Sequence, residues 1–367
     1  MPAGLLVRPA LGRWAAQWDQ LVDLSPLPSP FLRSWWLTGT AGARRRFLLV
    51  VRDDLLLGGL ALEERQRTGL PFLTMMGAGP LCPDHLDLLA RPGHQEDVIS
   101  SVSGWLRRPG TRLLGLDGIR ADPLVISALP APVRRESFAV APRAALTSDP
   151  DTYLAARSAG FRKTLRRASA RMADAGADHH VSRGTSAIRS LDALRRLHRA
   201  QWGDRSRFLP SFDRFAAGCR LGAQVDEIAV HDLAVADAVI AIMVTFEVAG
   251  RVSLYQSARR TDSPWRDATT VLLNAIIRDA CLRGFTEVDF LRGDEAYKRS
   301  FAPERRQLLR LRAASGRPGR VVMTAETAAR QARRYWPTAT IRPALARSPA
   351  RVSPYPRHVS GAGAHAW

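Results

Sequence analysis

The stretch Asp289-Phe-Leu-Arg-Gly-Asp-Glu-Ala-Tyr-Lys-Arg-Ser-Phe301 holds the densest group of chemistry-bearing residues in this chain of 367 residues. The apolar run from Glu287 to Leu291 predicts a buried strand, and a turn at Gly293 follows it directly. The polar segment after the turn is therefore expected at the carboxyl end of a sheet strand, where open α/β sheets bind ligands. The candidate binding residues in this stretch are Asp289, Arg292, Tyr297 and Lys298.

Lys298 is unusual for this chain, because arginine provides 52 of the 54 basic residues and the other lysine is Lys163. Lys is a compact charge that can lose its proton when buried, whereas Arg is a planar fork that stays charged. Lys298 could neutralise a phosphate or polarise a carbonyl, and Tyr297 could donate a proton. The alternative is a surface salt-bridge cluster that joins Lys298 to Asp294 or Glu295.

The segment upstream predicts a strand-rich lobe with one long helix. Strands are expected at 226–231, 239–247 and 251–258, followed by a helix at 269–282. Thr269 or Thr270 can cap that helix, and the free amides of a helix amino terminus suit a pyrophosphate. Trp265 and Arg266 precede the cap and join the same candidate cofactor site, as does Tyr255 on the preceding strand. Capping alone is the simpler interpretation.

The first half of the chain shows the same order of hairpin, loop, helix and strand. Its expected elements are helices at 11–24 and 31–39, a hairpin of 47–51 with 55–62, a helix at 95–107 and a strand at 112–116. The fold class predicted from this repetition is α/β with a mixed α+β sheet, arranged as two tandem lobes. We place the first lobe at residues 1–150 and the second at residues 151–314.

The segments of the chain differ in their content of charged residues. The net charge is +20, and residues 1–150 contribute only 17 basic against 14 acidic groups. Residues 151–220 read as a basic helical segment that contains Lys163, either a solvated face or an anion-binding face. Residues 315–367, with nine basic groups and one acidic group, are predicted to form a disordered tail apart from a short helix at 324–335.

Several classes of protein and site are disfavoured. The longest strictly apolar run has seven residues, which is too short to span a bilayer, and the amino terminus does not resemble a signal peptide, so a cytoplasmic protein is expected. Three widely spaced cysteines argue against a disulfide framework or a zinc site. The sequence also lacks the familiar nucleophile, metal and dinucleotide motifs, and we expect no metal.

Some candidate residues have two interpretations. His198 and Trp202 lie one helical turn apart and would either line a pocket or pack in the core. Glu247 ends a predicted strand and would be a general base near Tyr255, or else an exposed strand-end carboxylate. The neighbouring residues 179 and 180, both histidines, are expected in a loop.

The short motifs described above, taken in their order along the chain, resemble the GNAT superfamily of acyltransferases, in the branch of CelD/BcsL cellulose-biosynthesis acetyltransferases. The similarity rests on residues 161–167, His198 with Trp202, Tyr255 followed by Trp265, and the 289–298 string, and it covers about residues 10 to 312. In the first half, residues 80–89 are similar to the first lobe of that family. The resemblance implies two GNAT-like lobes, with acyl-CoA bound in the second lobe and its pyrophosphate at the Thr269 helix.

The chain also resembles the Fem peptidyltransferases, whose last strand is followed by an aromatic-Lys pair and which use aminoacyl-tRNA. One departure from the CelD-like pattern is Asp267-Ala-Thr-Thr270, which replaces Ser-Pro-Gly before the helix. Three functions follow: acetyl transfer from acetyl-CoA to an amine or hydroxyl of a small-molecule or saccharide-like acceptor, aminoacyl transfer from tRNA, and a non-catalytic GNAT-like binding module.

Overall fold

The computed structural model of the chain describes residues 3–335. Its strands are β1 (Gly4–Arg8), β2 (Arg45–Arg52), β3 (Leu55–Arg67), β4 (Leu70–Met75), β5 (Leu89–Ala90), β6 (Arg112–Ile119), β7 (Arg134–Ala145), β8 (Ala177–Arg183), β9 (Ile228–Val235), β10 (Ala238–Val248), β11 (Arg251–Arg259), β12 (Glu287–Asp289) and β13 (Glu304–Ser315). Its helices are α1 (Ala15–Asp23), α2 (Ser34–Thr40), α3 (Gln95–Leu106), α4 (Val125–Ala128), α5 (Pro150–Ala155), α6 (Ala159–Asp174), α7 (Gly184–Trp202), α8 (Phe212–Ala223), α9 (Ala268–Leu282), α10 (Ala296–Phe301) and α11 (Arg317–Tyr335).

The predicted mixed α/β class is confirmed, and most predicted elements lie within a few residues of their expected bounds. The hairpin of β2 and β3 turns at Asp53, whose φ is 54°. Two predictions were wrong. Residues 179 and 180 lie in strand β8 rather than in a loop, where they pair with β9. The helix expected at 324–335 begins earlier, at Arg317. Residues 336–367 of the predicted disordered tail lie outside the described residues.

The strands form one mixed sheet of 13 strands in the order β1-β2-β3-β4-β6-β13-β7-β12-β11-β10-β9-β8, with β5 beside β3. Two strands cross between the predicted lobes. Strand β7 precedes residue 150 yet pairs with β12, while β13 lies at the end of the second lobe yet pairs with β6 of the first. The sheet is therefore continuous, and the division at residue 150 stays a prediction.

Each lobe contains one parallel strand pair that separates soon after it begins. Strands β11 and β12 pair only at Arg251–Ser253 with Glu287–Asp289. In the first lobe, β4 and β6 pair only at residues 72–73 with 113–114. The two strands of each pair share no further ladder contacts, and the region past the end of each parallel ladder is called the wedge below. A second copy of the same wedge in the first lobe agrees with the predicted tandem arrangement.

Apolar packing covers both faces of the sheet. A large core in the first lobe continues across α7 and α8, and a second core packs β10, β11 and β12 against α9. Over residues 3–335, no helix combines the length and the apolar character that crossing a bilayer requires.

Candidate functional site at the divergence of two parallel strands

A loop from the first lobe closes the inner end of the wedge between β11 and β12. Asp289, the last residue of β12, is fully buried, and its Oδ2 lies 2.8 Å from Nε2 of His85 and 2.8 Å from Nη2 of Arg251. Its Oδ1 accepts a hydrogen bond from the amide of Leu291. Burial alone would raise the pKa of Asp289, but His85 and Arg251 outweigh it and hold that pKa well below its usual range. This carboxylate is therefore ionised and joins the two lobes.

A second buried carboxylate holds the loop that follows β12. Asp84 is fully buried and accepts hydrogen bonds from the amide and Nε of Arg292 at 2.8 and 2.7 Å. Arg292 also donates to the carbonyl oxygen of Pro83. Leu291, a buried residue with φ of 53°, has a left-handed backbone that few non-glycine residues adopt. The charge pair fixes this strained turn and points Arg292 at the first lobe.

Lys298 lies beneath the same turn rather than on its surface. Its Nζ donates to the carbonyl oxygen of Arg292 at 2.8 Å and lies 3.1 Å from Oε2 of Glu295. Its side chain is 7% exposed. Burial lowers the pKa of Lys298, while the charge of Glu295 acts in the opposite direction. The predicted Glu295–Lys298 pair thus exists, but Lys298 is buried instead of solvated, and it supports the backbone of the turn.

Tyr297, the neighbour of Lys298 on α10, is 43% exposed. Burial nevertheless raises the pKa of Tyr297 well above its usual value, so its hydroxyl stays protonated although part of the residue is exposed, whereas Lys298 is enclosed. The two adjacent residues consequently have different roles open to them. Tyr297 can meet a ligand directly, and Lys298 can act on one only through the turn that it supports.

The amino terminus of α9 begins one residue earlier than predicted, so the capping assignment was wrong. The cap position is Asp267, and Thr269 and Thr270 are the second and third residues of the helix. Asp267 makes an ion pair with Arg171 of α6 instead of capping the helix. Within the described residues, no hydrogen-bond acceptor is found for the amides of Ala268, Thr269 and Thr270. These amides can therefore bind an anion.

Two predicted cofactor residues border this helix start. Arg266 is exposed, and Trp265 is partly buried with the guanidinium of Arg260 lying 6.0 Å from its ring centre. On α6, Lys163 and Arg167 are exposed, and Arg167 lies four residues from Arg171, on the same side of the helix. Of the basic residues near this helix start, Arg171 and Arg260 are already paired with Asp267 and Asp262.

Tyr255 lies in an aromatic core and not in the opening. Its ring stacks on Phe246 at 4.8 Å and contacts Phe31 at 5.5 Å and Trp36 at 5.4 Å. The hydroxyl donates to the carbonyl oxygen of Leu81 at 2.6 Å, and burial raises the pKa of Tyr255 far above its usual value. Tyr255 thus supports the wall between the lobes, and its predicted contact with a cofactor has no geometric support.

His198 and Trp202 follow the core interpretation. His198 is 5% exposed, its ring lies 5.1 Å from that of Phe208, and its Nδ1 is 3.3 Å from Oγ of Ser206. Burial lowers the pKa of His198. Trp202, partly buried, lies 6.4 Å from the His198 ring. These residues pack α7 and do not reach the turn at Arg292.

Glu247 lies at the end of the strands opposite to Tyr297 and Lys298, which does not suit the predicted role of a general base. Its position on β10 is opposite Val252, at the start of β11, whereas Tyr297 and Lys298 follow the carboxyl end of β12. Arg283 donates to both carboxylate oxygens at 2.7 Å, and Arg183 donates to one at 2.9 Å. Glu247 is therefore a buried structural anion, neither the base nor the exposed carboxylate that the sequence suggested.

One group of side chains has the spacing of a metal site. Ligand atoms of His231, Glu247 and Asp279 lie within 4.8 Å of one another. However, Arg183 and Arg283 contact both carboxylates. Burial and the two guanidinium charges lower the pKa of His231 to about 3. The carboxylates are already neutralised, so the group is better suited to an ion-pair network than to a cation.

Comparison with known proteins agrees with this geometry. Residues 159–299 match the family described as "Acetyltransferase (GNAT) domain". Among solved structures, FemX superposes with a TM-score of 0.60 at 12% identity, covering 81% of this chain and 95% of that chain. The C-terminal domain (DUF2156) of a putative lysylphosphatidylglycerol synthetase from Agrobacterium fabrum gives 0.55 at 12% identity, covering 86% and 96%.

The L-PGS structure from Bacillus licheniformis gives a TM-score of 0.51 at 13% identity, covering 80% of this chain and 94% of that chain. At these identities the likeness concerns the fold alone. A search of curated proteins finds no match. The predicted GNAT resemblance is confirmed at the level of the domain, while the CelD/BcsL type stays a prediction. Residues 159–299 are therefore similar to the GNAT acetyltransferase domain family, and the chain as a whole has a fold similar to that of FemX and of the domain from the putative lysylphosphatidylglycerol synthetase.

Proposed function

We propose that the chain is an acyltransferase that moves an acyl group, most simply acetyl, from acyl-CoA to an amine or hydroxyl of a polar or saccharide-like acceptor. The observation that carries this proposal is the free amino terminus of α9 beside the divergence of β11 and β12. Amides at residues 268–270 lack an acceptor within the described residues, and the exposed Arg266 precedes them. This arrangement suits the pyrophosphate of a CoA donor, without the Gly of the CelD-like pattern.

The transfer itself needs an acceptor atom that attacks the thioester carbonyl while the bond from carbon to sulfur breaks. The attacking amine or hydroxyl releases its proton to solvent water, and the departing thiolate takes a proton from the acid. We assign the acid to Tyr297, which is the more exposed of the two candidate residues on α10 and whose hydroxyl keeps its proton because burial raises its pKa. Lys298 acts as a positioning residue, because its ammonium group holds the carbonyl of Arg292 and hence the shape of the turn. Glu247 is not carried into the mechanism.

Release of the CoA thiol from acetyl-CoA, measured with a panel of amine and saccharide acceptors, tests the function. The matched variants are Tyr297→Phe, which removes one hydroxyl, and Lys298→Arg, which keeps the charge. Loss of the acid should lower kcat by about 100-fold with little change in KM. Lys298→Arg should also lower kcat, because a planar guanidinium does not fit the buried space of an ammonium group. Wild-type kinetics in both variants would refute these assignments.

Aminoacyl-tRNA is the second candidate donor, and the exposed basic face of α6 favours it. Lys163, Arg166 and Arg167 are exposed and form no ion pair within the described residues. Binding through such a face would weaken steeply with salt. Treatment with RNase separates the donors, since activity lost after digestion supports tRNA and thiol release without RNA supports acyl-CoA.

A non-catalytic binding module is the third outcome. Thermal-shift measurements that show no response to acyl-CoA or tRNA, together with tight binding of another nucleic acid, would favour the module over both enzymes. The predicted cytoplasmic location and the CelD/BcsL type remain part of this proposal.

A further inference from the structure

A basic concavity lies at the other end of the first lobe, outside the wedge between β11 and β12. It forms where the loop after α3 meets the start of α11 and has a volume of about 480 Å³, within the range of small-molecule sites of about 300 to 1,000 Å³. The residues that line it are Arg107, Arg108, Pro109, Gly110, Pro130, Ala131, Ser315, Gly316 and Arg320.

Charge distinguishes this concavity from the rest of the surface. Arg107, Arg108 and Arg320 are exposed, and no acidic residue lines the concavity with them. Among the side chains that the structure describes, none forms an ion pair with any of the three. Many other arginines of the chain do have carboxylate partners, as Arg283 has Glu247 and Arg292 has Asp84. Three guanidinium groups without carboxylate partners in one hollow attract an anion electrostatically.

The backbone keeps the hollow open. Gly110 and Gly316 both have positive φ, 123° and 72°, and a Cβ at Gly316 would come within 2.8 Å of Oγ1 of Thr111. Ser315 donates its hydroxyl to the carbonyl oxygen of Gly110, which ties the end of β13 to the loop. The part of the hollow formed by Gly110, Ser315 and Gly316 therefore lacks large side chains.

We propose that this concavity binds a phosphate-bearing anion of about the size of a diphosphate. Guanidinium groups pair with phosphate oxygens in bidentate geometry, and three of them match the charge of a diphosphate group. Because Arg107 and Arg108 belong to the loop after α3 while Arg320 belongs to α11, the anion joins α11 to the first lobe. The site shares no residue with the proposed donor site at α9, so it does not depend on the proposed function.

Inorganic pyrophosphate, titrated into the full chain by calorimetry, is the first probe. The test variant is R108A/R320A, and the control is R189A/R196A, which removes the same charge from two exposed arginines of α7 that form no ion pair in the described structure. Loss of two charged hydrogen-bonding groups should weaken the binding assigned to the concavity by about 100-fold, whereas the control should retain it. Equal affinity in the test and control variants would overturn the proposal.

Hydrogen exchange locates the anion and separates it from the donor site. Pyrophosphate should slow exchange in residues 107–112 and 315–322 of the wild type and of the control variant, and not in R108A/R320A. Protection confined to the start of α9 would overturn the proposal even if pyrophosphate binds. Intact folding of R108A/R320A is checked by an unchanged melting temperature without ligand.

The source of the phosphate is distinguished with two further probes. ADP in solution represents a free nucleotide, and vesicles of phosphatidylglycerol represent a lipid headgroup, with phosphatidylcholine vesicles as the neutral comparison. Binding of ADP that requires Arg108 and Arg320 assigns a soluble ligand, and binding of phosphatidylglycerol vesicles that requires the same arginines assigns a lipid. Failure of ADP, pyrophosphate and anionic vesicles alike would overturn the site.

Discussion

Replacement of Asp289 by asparagine tests the junction between the two lobes most directly. The variant keeps the shape of the side chain and removes its charge. In the native protein this carboxylate is fully buried and lies 2.8 Å from both His85 and Arg251. Asparagine would leave the guanidinium of Arg251 with Glu287 as its remaining carboxylate partner. Its amide could still accept from Leu291, so the local backbone need not change.

Loss of one partner from a buried ion pair costs about 3 to 5 kcal/mol, because the remaining charge stays buried without compensation. We expect the lower part of that range, about 3 kcal/mol, since Glu287 stays beside Arg251. The effect should depend on pH. The native pKa of Asp289 is depressed below its unfolded value, so its stabilising contribution is present above about pH 4 and declines as the pH falls further.

Urea denaturation at neutral pH, followed by circular dichroism and by tryptophan fluorescence, measures this difference. The control is Asp213→Asn, because Asp213 forms an exposed pair with Arg195 and should contribute less than about 1 kcal/mol. Coincident transitions from the two probes would justify a two-state treatment. A change of less than about 1 kcal/mol for Asp289→Asn would refute the view that this carboxylate joins the lobes.

Three further predictions concern packing, charge and pH. Gly39→Ala should destabilise the protein by about 1 to 3 kcal/mol, because the added Cβ would lie 2.4 Å from Cα of Gly218. The control is Gly104→Ala in α3, whose added Cβ meets nothing within 4 Å and should stabilise the protein slightly. Thermal melts compare the two variants. Glu247→Gln should lower the melting temperature and leave the pH profile of CoA release unchanged, and loss of the acidic limb of that profile would restore Glu247 as the base. Burial raises the pKa of Asp87 to about 6. The free energy of unfolding of the wild type should therefore fall by about 3 kcal/mol relative to that of D87N as the pH rises from about 4 to 7. A difference between the two proteins that stays constant across that pH range would contradict this.

The sequence predicted the segments in which local pattern and tertiary structure agree. Two apolar runs on either side of Asp53 and Asp54 identified the hairpin, and the long apolar pattern after Thr269 identified α9. The candidate turn at 289–298 was also found, because a buried strand followed by glycine and polar residues has a local signature. Lys298 was singled out by composition, yet its burial under the carbonyl of Arg292 could not be read from its charged neighbours.

The partners of that turn could not be predicted, since they come from distant sequence. Asp84 and His85 lie some 200 residues before Asp289 and Arg292, and no periodicity connects them. The string around them was noticed only as a resemblance, with no role for either side chain. Strand β8 was missed because His179, His180 and their polar neighbours lack an apolar pattern, and pairing with β9 overrides their weak local preference.

Strands β7 and β13 each pair with a strand of the other lobe, which explains why the candidate site belongs to both lobes. Strand β7 covers one side of β12, so residues before the predicted boundary complete the sheet on which Asp289 lies. The loop of Asp84 and His85 then fixes the turn that carries Arg292, and Lys298 supports that turn from below. A substitution in the first lobe can therefore alter chemistry in the second without touching a substrate. The GNAT match begins only at residue 159, so the elements that hold its last strand in place lie outside the matched segment.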